Sequence, residues 1–334
     1  MRKIITMLLV VSMVLGLAVG VVAEGEKKII KIAYCAPDQN DTQMVFNKCL
    51  EVAIDKYNAE HDDSEIQYTM LNAQFDLQTQ ISQVESCITN QVDVMFFFAC
   101  DTEGARSIIQ QAMDAGIIVI DAVGTLDYAG FVDCVFVGTG EKQFADLLDE
   151  WIQNNFDKTG VQLKAGVIYG LLTQTPQLPR GDRRIDYAKE HPEQVEILAN
   201  NAGDWNTEKA MGITEDWLVA HPDMNAIFCA NTDMAIGVGQ ALIAAGKNLD
   251  EFVLTTVDLT ETALSLMDQG QVDVICGCDL YDQATRLLEL ALQELNGEYT
   301  EDICYLEKMW CITPENEQEY KDYSESWNAL VNAK

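Results

Sequence analysis

The chain has 334 residues, enough for two domains at roughly 150 residues each. Its 54 acidic residues against 21 Lys and Arg give a net charge of −33, which excludes broad nucleic-acid binding and disfavours anionic membranes and polyanionic ligands. The apolar fraction of 48% excludes a disordered chain.

The first residues read as an export signal spanning 1–23. Arg2 and Lys3 precede an almost wholly apolar run from Ile4 to Val22, and Val21 and Ala23 occupy the small-residue positions of a cleavage site. The rival is an uncleaved anchor, because a run of that length can span a bilayer. No cysteine stands between residues 10 and 30, so no lipid attachment is expected.

From Lys28 strands and helices alternate. Ile29 to Cys35 reads as a strand, and Gln43 to Glu60 carries apolar residues at helical spacing. A strand at Ile66 to Asn72 and a helix at Leu77 to Asn90 follow. Val92 to Ala99 is continuously apolar, as a strand covered on both faces requires. A helix from Thr102 ends before Gly116, and strands follow at Ile117 to Ala122 and Cys134 to Gly138. The rhythm then restarts. Helices are expected at Glu141 to Phe156, Gly181 to Glu190, Thr207 to Ala220, Met234 to Ala245 and Thr260 to Gln269. Strands alternate with them at Ala165 to Gly170, Val195 to Ala199, Ala226 to Ala230, Phe252 to Val257 and Val272 to Gly277. A helix at Asp282 to Leu295 and a strand-rich tail at Ile303 to Thr313 complete the pattern. Two successive β/α series predict two doubly wound α/β domains. No Pro/Gly/Ser-rich linker separates them, so short strand-like crossovers are expected to join them.

Ten cysteines remain after the signal. Cys35, Cys100, Cys134, Cys229 and Cys276 sit in or at the ends of apolar runs, where a thiol serves as a small buried hydrophobe. Mostly reduced, buried cysteines are therefore expected, with Cys304 and Cys311 as the pair placed to join across neighbouring strands. Cys276-Gly-Cys278 is at most half a metal site, and no second Cys/His pair has the spacing to complete it. No metal and no cofactor are expected.

In open α/β sheets ligands bind beyond the carboxyl ends of the strands. The residues there are polar. Asp38, Asn40 and Asp41 follow the first strand, and Phe98 and Asp101 follow the apolar run. Arg180-Gly181-Asp182-Arg183-Arg184 is a basic cluster in the second half. Asp204-Trp205-Asn206, Asn231-Thr232-Asp233, Asp258 and Cys278-Asp279 follow later strands. Carboxylates and amides suit vicinal hydroxyls, an indole face suits the C–H face of a pyranose, and a guanidinium donates to ring oxygens. Singly, each Asp or Asn at such a position is as readily a helix cap. Their recurrence is what points to a ligand.

The phrases Ala202-Gly203-Asp204-Trp205-Asn206-Thr207, His221-Pro222-Asp223, Ala230-Asn231-Thr232-Asp233-Met234-Ala235-Ile236-Gly237, Ala245-Gly246-Lys247 and Thr313-Pro314-Glu315-Asn316 carry a family likeness. Over nearly all its length after the signal, the chain resembles the periplasmic sugar-binding proteins of ABC transporters, of the ribose- and galactose-binding type. The resemblance implies two lobes joined by three crossover strands, closing on a sugar. It implies a first lobe of 24–138 plus 280–308 and a second of 139–279 plus 309–334. It gives ligand contacts to Asn40 or Asp41, to Arg183, to Trp205 as the stacking ring, to Asn231 and Asp258, and to Asp279 or Cys278. Phe98 or Ala99 falls where the family often has an asparagine.

The function expected is capture of a small polar ligand, foremost a monosaccharide, by a monomeric, exported, non-enzymatic protein that delivers it to ABC permease subunits. A sensory protein presenting its ligand to a membrane receptor is the second reading. An exported glycosidase using two of Asp38, Asp41, Asp258 and Asp279 is the remote third, since such a pair needs one carboxyl with a raised pKa and a partner roughly 5 to 9.5 Å away.

Overall fold

A computed structural model describes residues 27–123, 134–137, 141–174, 178–298, 303–305 and 308–333. The export-signal residues lie outside the described residues.

The apolar runs become the central strands of two sheets. The first half of the chain forms β1 (Lys28–Ala36), α1 (Asp41–Glu60), β2 (Ser64–Asn72), α2 (Leu77–Thr89), β3 (Val94–Phe97), α3 (Arg106–Asp114), β4 (Ile118–Asp121) and β5 (Cys134–Val137). The chain then enters a second lobe with α4 (Glu141–Thr159), β6 (Leu163–Tyr169), α5 (Pro179–Glu190), β7 (Val195–Ala202) and α6 (Thr207–Ala220). That lobe continues with β8 (Ala226–Cys229), α7 (Thr232–Ala244), β9 (Val253–Val257), α8 (Glu261–Asp268) and β10 (Val274–Gly277). It returns to the first lobe for α9 (Leu280–Leu295) and β11 (Ile303–Tyr305), then crosses again to β12 (Trp310–Ile312) and α10 (Glu317–Asn332). The lobes are thus linked at three places.

The two sheets repeat one plan. Their strand orders are β11-β5-β4-β3-β1-β2 and β12-β10-β9-β8-β6-β7. All pairings are parallel except β10 with β12. The two-residue period of a strand explains the continuous apolar sequence of β3. Val94 and Phe96 enter the core on one face of the sheet, and Met95 and Phe97 enter the core on the other. In the second lobe Ile227 and Cys229 divide from Ala226 and Phe228 in the same way. Burying each such Phe contributes about 1.5–3 kcal/mol.

Two departures from the sequence reading stand out. The strand-rich tail divides, with β11 on the first sheet and β12 on the second. Cys304 and Cys311 are therefore not on neighbouring strands. Cys311 instead faces Cys276 in register across β10 and β12, with the sulfurs 3.9 Å apart. Lastly, residues 309–334 do not belong to the second lobe alone. In α10, Tyr320 packs into the second lobe's core, whereas Trp327 and Val331 enter the first lobe's core and Trp327 stacks on Tyr281. Cys35, Cys49, Cys87, Cys100, Cys229, Cys276 and Cys278 are buried free thiols. No helix among the described residues is long and apolar enough to cross a membrane.

Candidate functional site

The carboxyl ends of both sheets face one cleft, where polar loops and helix N-termini from the two lobes meet. The cavity between them is lined from the first lobe by Asp38, Asn40, Gln43, Phe75, Phe98 and Gln283 among others. The second lobe contributes Phe144, Arg180, Trp205, Asn231, Asp258 and Cys278. Six residues expected from sequence are therefore brought together: Asn40, Phe98, Trp205, Asn231, Asp258 and Cys278.

Helix capping and cavity lining are combined rather than alternative. Asn40 caps α1, its Oδ1 accepting from Gln43 N at 3.0 Å. Asn231 caps α7 through Met234 N at 3.1 Å. Both helices thereby aim their N-termini at the cleft. Trp205 is set by its backbone: Asp204 and Trp205 both adopt left-handed φ angles of 54° and 59°. Its ring lies over Gly170, where any Cβ would overlap the indole. Its Nε1–H donates to Gln174 Oε1 at 2.6 Å. Asp258 also holds a left-handed φ of 85°, a strained conformation for a non-glycine residue and one that concentrates at functional sites.

Three expectations are corrected. Arg183 does not reach the cavity; it pairs with Asp149 at 2.7 Å and Glu190 at 2.9 Å on the outer side of α5. The arginine in the site is Arg180, at the N-terminus of the same helix. Its guanidinium donates to Ala230 O at 2.9 Å, stands 3.8 Å from Asp258, and lies 5.8 Å and 5.9 Å from the Phe144 and Trp205 rings. Asp279 is turned away from the ligand space. It caps α9 through Tyr281 N and Asp282 N and accepts from the Tyr320 hydroxyl at 3.0 Å, so Cys278 lines the cavity instead. Asp41 stands beside the cavity rather than on its wall; its backbone N–H bonds to the Asp233 carboxylate across the cleft.

Burial dominates the electrostatics. It pushes the Asp38 carboxyl up to about 7, with Asp233 adding to the effect and the Asn40 N–H opposing it. Burial, then Asp41 and Asp258, pushes Asp233 up to about 6. Asp258 is raised as well, because its burial outweighs the Arg180 charge.

The lobes touch on both sides of the cavity. Thr42 Oγ1 donates to Asp258 Oδ2 at 3.2 Å on one side. On the other, Gln174 Nε2 donates to Ala99 O at 2.7 Å and Thr102 N donates to Thr173 O at 3.1 Å. This is a closed arrangement. Sequence reasoning missed Phe75 and Phe144; Phe75 carried a usable signal, because Gln74-Phe75-Asp76 follows its strand as Asp204-Trp205-Asn206 follows the equivalent one.

Two like lobes closed over a polar, aromatic-walled cavity at their strand ends define a hinged solute-binding protein. The chain belongs to the periplasmic binding protein domain family, whose sequence profile matches residues 32–299. The family is made of binding proteins rather than enzymes, working outside the cytoplasm. Among curated relatives, a Rhizobium meliloti protein assigned as rhizopine-binding is 29% identical over 238 residues, covering 69% of this chain and 75% of its own. The D-ribose/D-allose-binding protein of Pseudomonas aeruginosa is 26% identical over 252 residues, covering 73% and 76%. Among solved structures, an ABC transporter solute binding protein from Bacillus halodurans with bound myo-inositol is 25% identical. It superposes with a TM-score of 0.75 over 89% of this chain and 98% of that one.

Proposed function

We propose that this protein captures a monosaccharide or a cyclic polyol of similar size and delivers it to an ABC permease. The supporting observation is the convergence of strand-end polar groups from both lobes on one cavity that also holds a ring from each, Phe75 and Trp205. Asn40 and Gln283 on one jaw and Arg180, Asn231 and Asp258 on the other offer donors and acceptors to hydroxyls. Phe75 and Trp205 offer apolar faces to the C–H side of a ring.

Such a ligand touches both lobes only when they are closed, so it draws the population to the closed form. The permease reads that form. The named roles require no covalent step, and the protein acts as an exported monomer after loss of residues 1–23. Curated relatives and the neighbouring structure bind rhizopine, ribose, allose and myo-inositol by their names, which supports the ligand class.

The test is thermal unfolding and titration calorimetry of refolded, ligand-free protein against pentoses, hexoses, inositols, nucleosides and amino acids. A ligand at 100 times its Kd adds about 2.7 kcal/mol. A shift with sugars or inositols, with the ligand recovered unchanged, supports the reading. A shift confined to nucleosides or amino acids overturns the ligand class, and a hydrolysed ligand overturns the non-enzymatic role. Tight binding to a receptor ectodomain in the absence of any permease interaction would favour a sensor.

A further inference from the structure

Two cysteines of the second lobe stand together where the chain crosses between lobes. β10 and β12 are antiparallel, and Cys276 lies directly opposite Cys311 in their register. Opposed residues of such a pair have Cα atoms about 4.5 or 5.5 Å apart, and a disulfide accepts both separations. The Cys276 thiol donates to the Cys311 sulfur at 3.9 Å. That contact lowers the pKa of Cys311, whereas the same contact and then burial hold Cys276 well above the usual thiol range. Cys276 is buried, but Cys311 is half-buried and lines a surface groove with Trp151, Lys158 and Glu315. Cys35 and Cys87 also meet through their side chains, but they are 0% and 3% exposed, which keeps an oxidant from them. Position gives the first pair its consequence. β10 ends at Gly277 and the chain crosses to α9 at Leu280; it returns from β11, ending at Tyr305, to β12 at Trp310. Cys276 and Cys311 therefore sit at the second-lobe roots of two of the three crossovers. β12 is a three-residue edge strand, and it leads into α10, which packs Tyr320 into the second lobe's core and Trp327 into the first.

We propose that Cys276 and Cys311 form a disulfide outside the cytoplasm, a modification that fastens β12 and the root of α10 to β10. The co-reactant is a disulfide-bearing oxidant. Cys311 loses its proton and attacks one sulfur of that disulfide; the oxidant's S–S bond breaks, and its other sulfur leaves as a thiolate. Cys276 then loses its proton and attacks Cys311 Sγ; the mixed disulfide breaks, and the oxidant's remaining sulfur leaves. The two protein thiols give up two electrons and two protons, and the oxidant ends as two thiols. Oxidising compartments sustain such bonds. The new bond encloses α9 and β11 of the first lobe in a covalent loop rooted in the second, which constrains the unfolded chain.

The test reduces the folded full-length protein, removes the reductant, adds oxidised glutathione, then alkylates and maps the peptides by mass spectrometry. A linked peptide pair holding Cys276 and Cys311 is expected, with Cys35, Cys49, Cys87, Cys229 and Cys278 alkylated only after unfolding. The oxidised protein should melt about 3–6 °C above the reduced one. Cys311→Ser should lose that oxidant-dependent rise. Cys276→Ser should accumulate glutathione on Cys311, because the resolving thiol is gone. The wild-type map and melting curves decide the question even if neither variant folds. Free thiols at Cys276 and Cys311 after oxidation, glutathione retained on wild-type Cys311, or a disulfide joining other cysteines in their place would overturn the proposal. An unchanged midpoint once the bond has formed would overturn its fastening role. None of these readouts depends on the ligand, so the sugar-class reading stands or falls separately.

Discussion

Gln174 is buried, and its amide spans the closing edge of the cleft. Its Nε2 donates to Ala99 O of the first lobe at 2.7 Å, while its Oε1 accepts from Trp205 Nε1 at 2.6 Å within the second. Opening the lobes breaks the first bond and spares the second. Gln174→Ala removes the closure-specific bond to the Ala99 carbonyl and strands the Trp205 N–H. A lost hydrogen bond costs about 0.5–1.5 kcal/mol net, and a stranded buried group about 1–3 kcal/mol. The neighbouring bonds from Thr102 N to Thr173 O and from Thr173 Oγ1 to Cys100 O use atoms the substitution leaves in place, so closure is weakened rather than abolished. We expect roughly 1–3 kcal/mol to fall on the closed form, which weakens ligand binding about 5- to 150-fold. Gln174→Glu should lose more, because it sets a carboxylate oxygen against the Ala99 carbonyl. Titration calorimetry gives the Kd, and small-angle scattering at saturating ligand shows whether closure is still reached. A Gln174→Ala protein that binds within twofold of wild type would refute a latch role for this edge.

Arg180→Ala should weaken binding at least about tenfold, the loss typical of a charged hydrogen-bonding group, whereas Arg183→Ala should stay within about twofold; calorimetry on both separates the two arginines. Gly237→Ala drives a Cβ into the Thr207 carbonyl where α6 and α7 pack closely, and should cost about 1–3 kcal/mol by urea denaturation with Kd unchanged. Burial raises Asp38 to about 7 and Asp233, Asp273 and Asp279 to about 6. The folded form therefore binds more protons than the unfolded chain, so this stability is fully present below the ordinary Asp value and is lost as pH rises through about 6 to 7. The melting temperature should fall between pH 5 and pH 8, and Asp273→Asn, remote from the cavity, should make the fall shallower; a midpoint that rises across this window contradicts the assignment.

The fold was legible because its signals are local. A doubly covered strand such as β3 cannot be written without four consecutive apolar residues, and the ends of β1, β2, β7, β8 and β10 are each marked by the Asn or Asp that caps the next helix. The site was legible to the same depth and no further. Arg180, Arg183 and Arg184 lie within little more than one turn of α5, and sequence supplies no rotation for that helix. Gly181 settles it by lying against the Tyr169 ring, which turns Arg180 to the cleft and Arg184 inward to Asp149 and the Ala145 carbonyl. Asp279 and Cys278 are decided at still longer range, since the Tyr320 hydroxyl that engages Asp279 comes from α10.

The two aromatic jaws follow from the repeated plan of the lobes. In each, the second strand of the βαβ series ends in two left-handed residues, Gln74–Phe75 at φ 54° and 55° and Asp204–Trp205 at φ 54° and 59°. The same hydrogen bonds frame both turns: Ala73 N to Ala36 O at 3.0 Å matches Gly203 N to Tyr169 O at 2.8 Å, and Asp76 N to Ala73 O matches Asn206 N to Gly203 O, both at 2.9 Å. Asp76 and Asn206 then cap α2 and α6. Consecutive left-handed non-glycine residues are strained, and that strain is sustained twice at matching positions. Because the carboxyl ends of the two sheets face each other, repeating one turn in both lobes delivers one ring from each side. The polar complement differs between the lobes, with Asp38 on one jaw and the Arg180–Asp258 pair on the other. The shared turn therefore sets the shape the cavity accepts, and the unmatched charges set which end of a ligand faces which lobe.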